Sequence, residues 1–356
     1  MTTPTRSPGP LWLGLDIGGA NIKAAHTSGL AHILPFELWK RPDDLPRMLA
    51  QLGAIFPAAD RVAVTLTAEL CDCFATRAEG VRAVLGAVEE AFPDRPLAVW
   101  GTDEQFHSLA EALDRPELPA AANWLALATL AARLLPNGPG LLIDIGSTTT
   151  DIIPLRGGHP AARGRTDFQR LQTGELVYAG ARRTPVMALA SELPIHGVPT
   201  GLSAELFAST LDVYLTLGAI PADPSDLSTA DGRPATIESA QGRLARMVGA
   251  DRDNFSEQDA FSLAEAADEA LMLRLANAAD RACSETIGRP SGAVVCGSGE
   301  FLARRLAERV IEPGGSILKL QEIWGPLASG AGCAYSVVVL AGEREGMLIS
   351  EPEGAP

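Results

Sequence analysis

Leu11-Trp-Leu-Gly-Leu-Asp16-Ile-Gly18-Gly19-Ala-Asn21-Ile-Lys23-Ala-Ala stands near the start of this 356-residue chain. Gly140-Leu-Leu-Ile-Asp144-Ile-Gly146-Ser147-Thr148-Thr149-Thr150-Asp151-Ile-Ile-Pro-Leu repeats its pattern 128 positions later, Asp16 to Asp144. Each stretch reads as an apolar strand, then Asp-Ile-Gly, then small or polar residues, then a second apolar strand. That is a β-hairpin with a turn of glycine and hydroxyl residues. Its recurrence predicts an internally duplicated chain, and no shorter repeat of the kind that builds solenoids is present.

Between the two copies, apolar patterns alternate in type. The spacing predicts a helix over 43–56, a strand over 61–66, a helix over 77–92, a strand over 97–100 and an Ala/Leu-rich helix over 120–135. Pro136-Asn-Gly-Pro139 ends that helix and marks a boundary, giving domains 1–137 and 138–356, with the last helix packing back on the first domain as an option. After the second hairpin, residues 156–234 are rich in Gly, Pro and Thr, and Pro221-Ala-Asp-Pro-Ser-Asp226 reads as a surface loop. A long helix is expected over 263–288, a buried strand at Ala293–Cys296, the turn Gly297-Ser298-Gly299, a helix to Val310, a strand over 316–320 and a small-residue helix over 326–343 that packs closely on a sheet. Strands alternating with helices give an α/β layer fold, and the length favours two cores over one.

Composition narrows the function. Twenty-nine Lys and Arg stand against 44 Asp and Glu, a formal net charge of −15, which repels nucleic acid and anionic lipid. An anionic substrate then needs a local site of backbone N–H groups, a metal ion or a few placed cations. The N-terminal stretch to Pro10 is polar and Pro-rich, unlike a signal peptide. No apolar run reaches the roughly 20 residues of a membrane span; a cytoplasmic protein with no membrane partner is expected, and a homo-oligomer is left open. The C-terminal stretch 350–356 reads as frayed. The five cysteines show no zinc spacing, so Cys71 and Cys73 read first as small core residues and second as a redox or metal pair.

The hairpin turns carry the chemistry. Gly18 and Gly19 allow close approach of a ligand to backbone N–H groups. Asn21 adds an amide, and Lys23 a charge. In the second copy Gly146, Ser147, Thr148 and Thr149 supply N–H and hydroxyl donors. Asp16 and Asp144 end their strands before the turns, and two such carboxylates on one cleft suit magnesium (Mg2+), which takes few carboxylates, several waters and phosphate oxygens. A single Asp-x-Gly-Gly is often only a tight turn. The duplication, and the third glycine-rich turn Gly297-Ser298-Gly299 between strand and helix, make the set specific.

This triple pattern resembles the actin/Hsp70/sugar-kinase (ASKHA) superfamily. The resemblance implies a ribonuclease H-like fold of two related domains with a central cleft, with phosphate motifs at the two hairpins and an adenosine motif at Val294–Gly299. A narrower resemblance rests on four segments. They are Leu13–Lys23, Val64-Thr-Leu-Thr-Ala-Glu69-Leu-Cys-Asp72-Cys-Phe, Ala121-Ala-Asn123-Trp124-Leu-Ala and Thr173-Gly-Glu175-Leu-Val-Tyr178-Ala-Gly-Ala-Arg182-Arg183-Thr184-Pro185. These are similar to hydantoinase/oxoprolinase-related proteins of a tetrahydromethanopterin-linked one-carbon transfer pathway. Archaeal members are methanofuran-pathway synthases, which join the phenol of γ-glutamyltyramine to an aminomethyl-furan methyl diphosphate and release pyrophosphate.

That resemblance implies an aryl-ether-forming alkyl transferase acting on small molecules, a furan diphosphate and a tyramine derivative. Asp16 and Asp144 would position Mg2+; Gly18, Gly19, Gly146, Ser147 and Thr148 would bind diphosphate. Arg182 and Arg183 are candidate clamps by their fork geometry, against a solvated surface pair. A phenol with an ordinary pKa near 10 benefits from a base. Glu69 is the first candidate, against a reading as a surface carboxylate, with Asp72 and Glu175 behind it. Asp151 is expected to support the second hairpin, and Trp124 to be buried although Asn123-Trp124 also offers a stacking surface; Trp100–Asp103 ends a strand and is a candidate pocket lining. ATP is an admissible ligand that this reading does not require. The alternatives are an ATP-dependent kinase or hydantoinase/oxoprolinase-type enzyme and, last, a non-catalytic nucleotide-binding regulator.

Overall fold

The computed structural model describes residues 9–346, so the expectations for the N-terminal stretch before Gly9 and for 350–356 fall outside the described residues. In chain order the strands are β1 (Trp12–Ile17), β2 (Asn21–His26), β3 (Ala31–Pro35), β4 (Arg61–Leu66), β5 (Leu97–Trp100), β6 (Phe106–His107), β7 (Pro139–Ile145), β8 (Thr150–Arg156), β9 (His159–Pro160), β10 (Leu176–Val177), β11 (Glu192–Ile195), β12 (Val198–Gly201), β13 (Gly292–Cys296) and β14 (Ser316–Lys319). The helices are α1 (Leu45–Gly53), α2 (Arg77–Ala91), α3 (Leu109–Asp114), α4 (Asn123–Ala131), α5 (Asp167–Thr173), α6 (Thr210–Thr216), α7 (Ile237–Met247), α8 (Glu257–Ser284), α9 (Glu300–Val310), α10 (Leu320–Gly330) and α11 (Gly332–Arg344). They fall into two compact units.

The first unit holds the chain to Gly138, Leu155–Phe168 and the chain from Leu318. Its sheet runs β3-β2-β1-β4-β5-β6. β1 is antiparallel to β2 and parallel to β4, which is parallel to β5. Alternation sorts the faces of these strands. Leu13, Leu15, Ile17, Val62, Val64 and Leu66 enter a core with Leu45, Leu49 and Leu52 of α1 and Val81, Val84, Leu85 and Val88 of α2. Gly14 faces the other way, onto α11. A Cβ there would lie 2.3 Å from the Ala334 carbonyl oxygen and 2.5 Å from Val338 Cγ2, so only glycine lets this helix lie so close to the sheet.

The second unit holds Pro139–Pro154 and Gln169–Ile317. Its sheet runs β10-β8-β7-β13-β14, with β9 pairing the end of β8 and β7 parallel to β13. β11 and β12 form a separate hairpin. Leu141, Ile143 and Ile145 of β7 pack with Leu263, Leu271 and Leu275 of α8 and Leu302 and Leu306 of α9.

Several boundaries move for identifiable reasons. The helix expected over 263–288 begins at Glu257, because Ser256 and Asp259 form a reciprocal capping box, and ends at Ser284. The helix expected over 326–343 is two helices, α10 and α11, bent by 97°. The break lies between Gly330, whose added Cβ would meet Ile33 Cδ1 at 3.1 Å, and Gly332, whose added Cβ would meet Leu127 Cδ1 at 3.2 Å. Tight packing of two residues with poor helix propensity ends one helix and starts the next. α11 is buried from Gly332 to Gly342. Among the described residues no single helix is long and apolar enough to cross a membrane. The region 156–234 carries β9 to β12, α5 and α6, short elements that its Gly and Pro content hid.

Candidate active site

The two hairpin turns are built alike. The Gly18 N–H donates to the Asn21 carbonyl at 3.0 Å, and 128 positions later the Gly146 N–H donates to the Thr149 carbonyl at 2.9 Å. The carbonyls of Ile17 and Ile145 each accept from the loop that follows the neighbouring parallel strand, from Thr67 N–H at 2.9 Å and from Gly299 N–H at 2.8 Å. The Gly19 carbonyl accepts from Leu38, and its counterpart at Ser147 accepts from both Arg182 and Arg183. The repeat legible in the sequence is therefore a repeat in hydrogen bonding, turn by turn.

In the first unit Asp16 is buried at the end of β1. It sits opposite Lys23 on β2 and beside Thr65 on β4, so these three side chains share one sheet face. Asn123, at the start of α4, donates from its side-chain amide to Asp16 Oδ1 at 3.4 Å and accepts from the Trp124 N–H at 2.7 Å. Trp124 itself is buried, as a core tryptophan. Gly19 lies under Cys71, whose Sγ would be 2.8 Å from an added Cβ. Burial pushes the Cys71 thiol up to about 11 and raises Cys73 as well. Thiols held protonated are poor nucleophiles and poor metal ligands, which favours the packing role.

Glu69 is not a surface carboxylate. It is 1% exposed, and neither carboxylate oxygen makes a full hydrogen bond. Gly80 of α2 brings the helix onto this loop, since a Cβ there would lie 2.3 Å from the Glu69 carbonyl oxygen. Desolvation raises the carboxyl from the usual 4.5 to about 7; its own backbone N–H, the Arg77 charge and the Ala121 N–H offset this only in part. Arg77, the first residue of α2, places Nε 3.7 Å from Glu69 Oε1 and a terminal nitrogen 3.8 Å from Asp167. Neither Arg77 nor Thr65, whose buried hydroxyl has no hydrogen-bond partner, was marked by sequence pattern. Asp72 is exposed. Trp100 is buried, and beyond it Asp103 contacts His107 at 2.9 Å.

In the second unit the residues singled out from sequence come together around one turn. The stretch 177–184 is sewn onto it. Ala181 N–H donates to Gly146, Thr150 Oγ1 to the Ala179 carbonyl at 2.7 Å, and Gly180 N–H to Thr184 Oγ1 at 2.8 Å. Gly180 must be glycine, because a Cβ would lie 2.6–2.7 Å from Gly146, Ser147 and Thr148 backbone atoms. The third glycine turn joins from β13. Gly297 has φ +91°, and a Cβ there would lie 2.3 Å from Asp144 Oδ1. Its glycine character serves contact with Asp144 and Ile145, whatever else the turn binds. Ser298 is exposed and Gly299 buried.

The two arginines differ. Arg182 is ion-paired with Asp226 from the 221–226 loop, so its guanidinium already has a carboxylate partner; Arg183 is exposed. Asp151 is ion-paired with buried Arg170, which also donates to the Glu175 carbonyl at 3.2 Å. Asp151 thus ties the second hairpin to α5, and Glu175 is buried behind it. No three His, Cys, Asp or Glu side chains converge as a metal cage among the described residues. Asp16 and Asp144 each end the first strand of a hairpin, one in each unit, and a carboxylate at such a strand end is a hard-oxygen donor of the kind magnesium takes rather than the nitrogen or sulfur of tetrahedral zinc.

Comparison with known proteins adds to this geometry. The hydantoinase/oxoprolinase family profile matches residues 60–339. The chain is 37% identical over 255 residues to the (4-{4-[2-(γ-L-glutamylamino)ethyl]phenoxymethyl}furan-2-yl)methanamine synthase of Methanocaldococcus jannaschii, covering 71% of this chain and 76% of that one. It is 33% identical over 202 residues to the protein of the same name from Methanococcus vannielii, covering 56% of this chain and 89% of that one. Among solved structures, a nucleotide-free acetone carboxylase aligns with a TM-score of 0.51 at 10% identity, over 93% of this chain and 70% of that chain. At that identity the likeness speaks to the fold alone, a mixed α/β fold shared over nearly the whole chain.

Proposed function

The chain belongs to the hydantoinase/oxoprolinase family, and from that premise we propose that it is an alkyl transferase that displaces diphosphate to form an aryl ether in the biosynthesis of a methanofuran-type one-carbon carrier. The substrates are an aminomethyl-furan methyl diphosphate and the phenol of a tyramine derivative such as γ-glutamyltyramine. The phenol oxygen forms a bond to the furfuryl CH2 carbon, the bond from that carbon to diphosphate oxygen breaks, the phenolic proton passes to a base, and pyrophosphate leaves.

The observation that carries the reading is the duplicated Asp-Ile-Gly turn within a chain 37% identical to a synthase of that name. Donors at Gly18, Gly19, Asn21, Gly146, Ser147, Thr148 and Thr149 receive phosphate oxygens, and Lys23 and Arg183 add positive charge. Preorganised donors aimed at charge that develops on the leaving group lower the barrier. Asp16 and Asp144 would hold magnesium, whose chemistry there is to neutralise charge on the departing diphosphate. Glu69 is the base: a carboxyl poised near 7 accepts a proton at neutral pH, and its burial keeps water from competing. Because both of its oxygens are buried, the loop after β4 or the Arg77 side chain moves when the phenol arrives.

Incubation with the furan diphosphate, γ-glutamyltyramine and Mg2+, followed by mass detection of the ether and assay of pyrophosphate, tests the proposal. Formation of both products supports it. Stabilisation by ATP and not by pyrophosphate, with ADP released on turnover, would replace it with the ATP-dependent reading, and Gly297–Gly299 would then face adenosine.

A further inference from the structure

Arg77 and Glu69 form an ionic pair that is left unfinished. Arg77 is the first residue of the 15-residue helix α2 and keeps 30% of its side chain exposed. The polar partners of its guanidinium among the described residues are both ionic, Glu69 at 3.7 Å and Asp167 at 3.8 Å, each beyond hydrogen-bond range. A guanidinium carries five donors in a fork shaped for two oxygens of one carboxylate or phosphate. Here that fork has no hydrogen-bonded acceptor. Its nearest counter-charge, Glu69, is buried, with no side-chain hydrogen bond and only long contacts to its own N–H and that of Ala121. A buried carboxylate and a partly buried arginine, each short of hydrogen-bonded side-chain partners, are costly to keep as pure scaffold.

The pair is also well placed for a ligand. Glu69 follows the C-terminal end of β4, and β1 and β4 are parallel, so the pair lies at the same edge of the sheet as the Gly18-Gly19 turn. Ligands of open α/β sheets bind along that edge. In a chain with a net charge of −15, an incompletely paired cation there is a specific local attractor for an anion.

We propose that Arg77 is an additional substrate-binding residue that captures an oxyanion of the substrate, and that this capture withdraws the arginine from Glu69 and so couples anion binding to protonation of that carboxyl. The inference rests on the reading of Glu69 as the base. The groups that face Glu69 are Arg77 of α2, Asp167 at the start of α5, and Cys71 on its own loop. Of these only Arg77 favours the ionised form, so neutralising it leaves desolvation and Asp167 to raise the carboxyl further. Such coupling strengthens the base when the reacting pair is assembled. The oxyanion is either the diphosphate of the furan substrate or the glutamyl carboxylate of the tyramine substrate.

Isothermal titration of the full chain at pH 7, in two buffers of different ionisation enthalpy, tests the coupling. The probes are pyrophosphate with Mg2+ in one arm and γ-glutamyltyramine in the other. The arm that engages Arg77 binds at least tenfold more weakly in Arg77→Met and intermediately in Arg77→Lys, which keeps the charge but loses the fork. In the same arm wild type takes up a fraction of a proton, up to about one half for a carboxyl poised near the working pH, and Glu69→Gln binds without uptake. Arg77→Met that binds both probes like wild type, or uptake that persists in Glu69→Gln, overturns the proposal; the second result does so even if Arg77→Met fails to fold. Arg77-dependent binding of pyrophosphate by a protein that makes no ether would sink the proposed reaction and leave the anion site standing.

Discussion

Replacing Glu69 by Gln isolates the cost of burying a carboxylate. Glu69 is 1% exposed, and its folded-state value lies near 7 against 4.5 for the ordinary group. An acid whose value is raised by folding binds more protons in the native than in the unfolded state over that interval, so stability falls as pH rises from 4.5 through 7 and levels off above. A tenfold change in proton affinity corresponds to about 1.4 kcal/mol. Integration puts the penalty at roughly 1 kcal/mol at pH 5.5 and roughly 3 kcal/mol at pH 8.5. Glutamine has nearly the same shape and does not titrate. The stability of Glu69→Gln relative to wild type therefore rises by about 2 kcal/mol between pH 5.5 and pH 8.5. Urea denaturation at both pH values, in the absence of substrates, measures this difference. An equal offset at the two pH values would refute the reasoning, since it would mean that the carboxyl does not titrate in the window its burial imposes. Activity in the same variant loses its dependence on ionisation of this group.

Three further outcomes follow from the contacts. Gly297→Ala forces a side chain into a left-handed backbone position and against Asp144 Oδ1, so thermal melting should show a loss of at least about 1–3 kcal/mol, whereas Ser298→Ala, at an exposed position, should be within about 0.5 kcal/mol of wild type. Arg243 is fully buried, donating to Asp212 at 2.8 Å and to Asp231 at 3.0 Å, and Arg243→Met strands Asp212 without its partner; chemical denaturation should report a loss of about 3–5 kcal/mol. Asp144→Asn keeps the fold by circular dichroism but abolishes both turnover and the Mg2+-dependent rise in melting temperature with pyrophosphate; unchanged values would remove Asp144 from metal binding.

What the sequence alone determined was local. The hairpin turns at 16–21 and 144–149 were legible because a tight turn with converging N–H groups demands glycine and small polar residues at fixed offsets, and the demand is the same in both copies. Strands such as β4 and β5 were legible through their apolar runs. The tertiary structure decided what depends on neighbours distant in the chain. Whether Glu69 is a surface carboxylate or a buried acid near 7 hangs on Gly80, Ala121 and Asp167, and desolvation leaves no trace in the residue's own sequence neighbourhood. Asp226 decides that the Arg182 fork is already paired. Ile33 and Leu127 lie close against the two glycines that flank the break in the last helix, a contact that the sequence around those glycines does not reveal. The geometry of a turn is written in a few consecutive residues, whereas charge state and packing are sums over whatever the fold brings near.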